Sequence, residues 1–145
     1  MKSAALAALL LGSTGLAASP TVSARLSVQR SGTTLSHALK LHNRLAVPFR
    51  AAYVCTLETA LVNAAGRVVR QYPPEDTACP STYFWLSVPA RGRATVFQHK
   101  LPWNLSEVPP GVYRVRARLP LFRVPAAFQV SKLVTWSAPF TLPGK

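Results

Sequence analysis

Between Val112 and Leu119 the chain alternates without a break: Tyr113, Val115, Ala117 and Leu119 are apolar or aromatic, and Arg114, Arg116 and Arg118 lie between them. Period two belongs to a strand with one face in a core and the other in solvent. On a helix, Arg116 would stand about 200° from Arg114, and no single basic face would exist. The rest of the chain meets a similar constraint, because 13 prolines in 145 residues interrupt any long helical stretch.

Read along its length, the chain supplies strands separated by turn signals. Arg25 to Arg30 puts Leu26 and Val28 on one face; Leu35, Leu39 and Leu41 share a face opposite Ser36, Lys40 and His42. Phe49 to Leu61 is rich in strand formers. Asn63-Ala64-Ala65-Gly66 reads as a hairpin turn in which Gly66 takes a positive φ, and Arg67 to Tyr72 is the return strand. Further strands are expected at Tyr83 to Val88, at Arg93 to Leu101 and within Lys132 to Leu142, with turns at Pro89 to Gly92 and Pro109 to Gly111. Ala126 to Val130 has the composition of a helical turn. Seven or eight short strands of this kind predict an all-β fold, an antiparallel β-sandwich.

The amino terminus has a different character. Lys2 precedes the apolar run Ala4 to Leu11, after which small and polar residues lead to Pro20. A basic start, a short apolar core and small residues at a cleavage position are the marks of a secretory signal. The run is too short for the ~20 residues that span a bilayer. Cuts after Ala18 and after Ala24 both suit the peptidase, and the second is slightly favoured. The expected organisation is a signal peptide at 1–24 and one domain at 25–145. That makes the protein exported, to the periplasm or outside the cell. In that compartment Cys55 and Cys79, the only cysteines, are expected to pair as a disulfide.

The chain carries 17 Lys and Arg against 4 Asp and Glu, a net charge of +13, which falls by one when Lys2 leaves with the signal. A surface of this sign attracts polyanions. Arg114, Arg116 and Arg118 form its clearest concentration, a ladder ~13 Å long on one strand face, with Arg67, Arg70, Arg91, Arg93 and Lys100 as candidate neighbours. Anionic envelope polymers and lipid headgroups are the natural ligands of such a face; export removes nucleic acid as the expected partner. The plain alternative is a solvated, arginine-rich surface.

Catalysis finds little support. His37 and His99 lie inside predicted strands, Glu75 and Asp76 are sequence neighbours in a proline-flanked loop, and no G-x-S-x-G occurs. His37 and His42 are five apart, which puts them on opposite faces of a strand, and no metal-binding spacing is present. The reading is therefore of a non-enzymatic protein with no cofactor and no metal. Tyr83, Phe84, Trp85, Trp103 and Trp136 are candidates for a ligand platform, but large aromatics in a sandwich more often pack inward. The sequence leaves open whether Tyr83 to Trp85 is core or surface.

Leu39-Lys40-Leu41-His42-Asn43, the turn and return strand Asn63 to Tyr72, the strand containing Phe97, and Pro110-Gly111-Val112-Tyr113-Arg114-Val115-Arg116-Ala117 follow one another in an order that resembles the BsuPI domain. This is the intracellular proteinase inhibitor family of bacteria. The resemblance runs from about Leu39 to Leu119. It implies an Ig-like β-sandwich and a binding role, nominally inhibition of serine proteases. The chain departs from the family in its expected export. It also departs at Ala51-Ala52-Tyr53-Val54-Cys55-Thr56, where the family tends to a polar Gly-Gln-x-Tyr-Asp type of stretch, and no reactive-site residue carries over. An inhibitor needs a loop held rigid before it binds. The candidate interaction loop is Pro73 to Thr82, with Pro73, Pro74, Glu75, Asp76, Thr77 and Pro80, and with Cys79 tying it to the strand of Cys55. A protease or another envelope protein is the partner expected on this reading.

Overall fold

A computed structural model describes residues 21–124 and 132–144. The apolar run Ala4 to Leu11, the cut after Ala18 and the helical turn at Ala126 to Val130 lie outside them. The described chain is all-β: β1 (Val22–Ser31), β2 (Thr34–Asn43), β3 (Phe49–Tyr53), β4 (Glu58–Asn63), β5 (Val68–Tyr72), β6 (Phe84–Val88), β7 (Arg93–Lys100), β8 (Gly111–Pro120), β9 (Lys132–Trp136) and β10 (Phe140–Leu142), with one 3-10 turn at Leu105–Glu107. Every strand pairing is antiparallel.

The strands form three groups. β1-β2-β7 is one sheet and β3-β6 is a two-stranded ribbon. In the third, β8 pairs with β4, which pairs with β5, while β9 and β10 follow one another along the other edge of β8. Leu26, Leu35, Leu39 and Leu41 from the first sheet, Leu61, Val115, Ala117 and Leu119 from the third, and Phe49, Ala51, Leu86 and Val88 from the ribbon meet in one apolar cluster. The result is sandwich-like: sheets with one face in a common core and the other in solvent.

Two of the expected segments each become a pair of strands. Phe49 to Leu61 divides because its first part joins the ribbon and its second joins the β8 sheet, with Cys55 in the crossing. The last segment divides at Ser137, whose backbone N–H donates to the Val115 carbonyl at 2.8 Å. Its hydroxyl accepts the Val115 N–H at 2.9 Å and donates to the Ala138 carbonyl. This buried serine replaces one rung of the ladder with a side chain, and Pro139 cannot donate to another.

The hairpin between β4 and β5 forms as its turn residues require. Gly66 has φ 80°, its N–H donates to the Asn63 carbonyl at 3.0 Å, and the Asn63 side chain accepts the Arg67 N–H at 2.9 Å. At the end of β2, Asn43 is fully buried and fully bonded. Its Nδ2 donates to the carbonyls of Val47, Val88 and Pro89, and its Oδ1 accepts the Leu45 N–H. One side chain thus joins the end of β2 to the loop before β3 and to the end of β6.

At the amino end, Val22 is buried and pairs with Asn43, Ser23 pairs with His42, and Ala24 pairs with Leu41. The residues before the Ala24 cut therefore belong to β1.

Candidate functional site

Three surfaces hold the residues singled out from the sequence. The first is the segment between β5 and β6. Its first peptide bond, Tyr72–Pro73, is cis, and from Pro74 to Trp85 every residue is exposed. Within it, one backbone bond runs from the Thr77 N–H to the Pro74 carbonyl at 3.0 Å. Cys79 is bonded to Cys55, with the two Cα atoms 5.1 Å apart. The expected disulfide is present and fastens the middle of the loop to the crossing between β3 and β4.

Beneath this loop lies a groove of about 480 Å³. Pro73, Pro80, the disulfide, Tyr53, Phe84 and Phe97 line it, with Glu58, Gln71 and Glu75 among its polar members. Tyr53 stacks on Phe84 at 5.6 Å and meets the edge of Phe97 at 5.5 Å. Burial there raises the Tyr53 phenol above its ordinary pKa.

The second surface is the outer face of the β8 sheet. Arg114, Arg116 and Arg118 all lie on it, opposite Val62, Ala60 and Glu58 on β4, while Trp136 and Val134 face Arg116 and Arg118 from β9. Ala60 and Val62 are buried without belonging to the common core; the long arginine stems cross this face beside them. The ladder is not uniform. Glu58 lies 3.9 Å from Arg116 and 3.7 Å from Arg118, and the Arg116 guanidinium stands 5.8 Å from the Trp136 ring centroid. Burial, and after it the neighbouring Arg118, push the Arg116 pKa down, and Glu58 pulls it back. Arg114 is the exposed member. Arg91, Arg93 and Lys100 do not extend this face: Arg93 and Lys100 are on β7 in the other sheet, and Arg91 is in the turn before it. Arg25, Lys40 and Arg93 instead give the β1-β2-β7 sheet a basic outer side.

The third surface corrects the expectation that the large aromatics pack inward. Trp103 is buried at 6% exposure, but Tyr83 is 48%, Phe84 46%, Trp85 52% and Trp136 45% exposed. Trp85 is the cross-strand partner of Ala52, and Ala52 also bridges to Arg123 on its other side. The Arg50 guanidinium stands 5.0 Å from the Trp85 ring centroid, and that of Arg123 stands 5.3 Å from the Tyr83 ring. Strand parity alone places Tyr83 and Trp85 together and Phe84 on the opposite face. Nothing in the sequence marks Arg50 and Arg123, because they reach these rings through pairings with distant segments.

The histidines separate as expected. His37 is 3% exposed with neither ring nitrogen hydrogen-bonded, and His42 on the other face of β2 is half-buried. His37 faces His99 across the β2–β7 pair at 5.7 Å between centroids. Burial first, and the His99 charge second, lower its pKa to about 4. Among the described residues no three His, Cys, Asp or Glu side chains gather as metal ligands would. No family model matches the chain, and no curated protein matches it.

Proposed function

We propose that this chain is an exported, non-enzymatic binding domain of Ig-like, BsuPI-like type that engages a protein through the 73–82 loop, with a serine protease as the nominal partner. One observation carries the reading: an exposed, proline-bearing loop is fastened at its middle by the Cys55–Cys79 bridge. Such a segment has less conformational freedom to lose on binding, which favours association. The Ig-like part of the reading is supported by Tyr113. At the start of β8 its hydroxyl donates to the Pro109 carbonyl at 2.7 Å, the bond of a tyrosine corner.

Titration of trypsin-, chymotrypsin- and subtilisin-like proteases with the disulfide-intact protein tests this. Inhibition at micromolar protein that disappears when residues 74–78 are scrambled supports the reading. No inhibition, or inhibition indifferent to the scramble, overturns it.

The Arg114, Arg116 and Arg118 face favours a second reading, an envelope protein that holds anionic polymers or lipid headgroups. Its partial neutralisation by Glu58 weakens that reading relative to the first. Retention on a polyanion matrix should fall steeply between low and physiological salt. It should also fall in the Arg114→Gln, Arg118→Gln variant if this face is used.

A further inference from the structure

The outer face of the β3-β6 ribbon carries two similar units, each an exposed aromatic ring beside a guanidinium: Trp85 with Arg50, and Tyr83 with Arg123. Tyr83 directly precedes β6 and Trp85 is its second residue, so on extended chain the two positions lie ~7 Å apart. Between them and Arg123 sits Ala52, fully buried although outside the common core. Aromatics exposed together on a folded protein mark an interaction surface. The ion pairs among the described residues are those that Glu58 makes with Arg116 and Arg118, so Arg50 and Arg123 keep their charge available to a ligand.

The occupant must match a repeated pair of ring and cation. A second copy of this chain is disfavoured by self-repulsion at a net charge of +13. A folded protein partner is best served by one central anchor with a polar rim. A bilayer is best served by a continuous apolar face, whereas guanidiniums stand over Trp85 and Tyr83 here, and the exposed Phe122 ring meets only the edge of Tyr83. A linear acidic polysaccharide presents what the face lacks: flat C–H ring faces to stack on the aromatics, and a carboxylate on each ring to accept guanidinium N–H bonds. We propose that the outer face of β3-β6 binds an acidic polysaccharide, with Trp85 and Tyr83 stacking sugar faces and Arg50 and Arg123 taking their carboxylates. The proposal does not rest on the protease reading.

The test is titration of the mature protein with polygalacturonate, followed by tryptophan fluorescence and calorimetry, beside neutral dextran, polyphosphate and phosphatidylglycerol vesicles. Polygalacturonate should bind and perturb the fluorescence. Trp85→Ala and the Arg50→Gln, Arg123→Gln pair should each weaken binding about 10-fold, and Trp85→Tyr should restore most of it. Arg25→Gln, Lys40→Gln should leave affinity within about 2-fold, since those residues belong to another sheet. Equal binding of polyphosphate would show that charge alone acts and would overturn the proposal. So would Trp85-dependent binding that is tighter to vesicles than to the uronate polymer, or polygalacturonate affinity unchanged by Trp85→Ala.

Discussion

Asn43 and His37 are both buried polar residues on β2, and they act in opposite directions. Asn43 bonds three carbonyls and one N–H at a junction of loops. Asn43→Ala should cost about 3 kcal/mol, read as a lower urea midpoint at unchanged slope. His37 has no such partners. Its imidazole gains a proton near pH 6.5 in the unfolded chain but only near 4 when folded. The unfolded chain therefore binds more protons between those values. Stability should decline by up to about 3 kcal/mol as pH falls from about 6.5 to about 4, then level off. His37→Phe should remove this part of the acid slope and leave stability at pH 7 unchanged or raised, because two desolvated nitrogens are lost. Urea unfolding of both proteins at pH 7, 5 and 4 checks it. A reader of the sequence finds Asn43 at a strand end and His37 within a strand, but parity cannot say which polar side chains will find partners.

The disulfide acts on one element, the loop between β5 and β6. It closes a sequence separation of 24 residues, for which loop-closure entropy gives about 3.5 kcal/mol. Cys55→Ser, Cys79→Ser should lower the unfolding free energy by about that amount. It should also render 74–82 sensitive to proteolysis while the far-ultraviolet circular dichroism keeps its strand signature. Loss of the strand signature would mean that the bridge holds the sheets rather than the loop. The β8 strand shows how far element-level reading reaches. Its alternation correctly puts Tyr113, Val115, Ala117 and Leu119 in the core and the three arginines on one outer face. It could not reveal that Glu58 of β4 stands opposite Arg118, since cross-strand register is a property of the pair.

At the scale of the whole molecule, the amino end bears on processing. A cut after Ala24 would remove Val22, Ser23 and Ala24 from a strand in which all three are paired and Val22 is buried. If the amino terminus is cleaved as a signal, the pairing of these residues favours the cut after Ala18 over the cut after Ala24. A protein starting at Arg25 should be less stable by about 2 kcal/mol, the burial of one valine side chain with its pairing. Mass spectrometry of the protein from its native source reads whether and where it is cut, and unfolding of the two chain lengths reads the cost.

What the residues determine by themselves is local. Alternation, proline and glycine placement and turn chemistry settle that the described chain is all-β, where most strands run, that Gly66 closes a hairpin and which side of β8 is basic. The expected export and an even cysteine count point to the bridge. What the tertiary structure decides is which strands become neighbours. The sheet into which each half of Phe49 to Leu61 goes, the approach of Arg123 to Tyr83 across Ala52, and the exposure of Trp85 beside the burial of Trp103 all depend on contacts between distant segments. The physical reason is that a strand's own sequence specifies the period of its side chains. Its partners, its register and the layer that covers each face follow from packing the whole set of strands around one core.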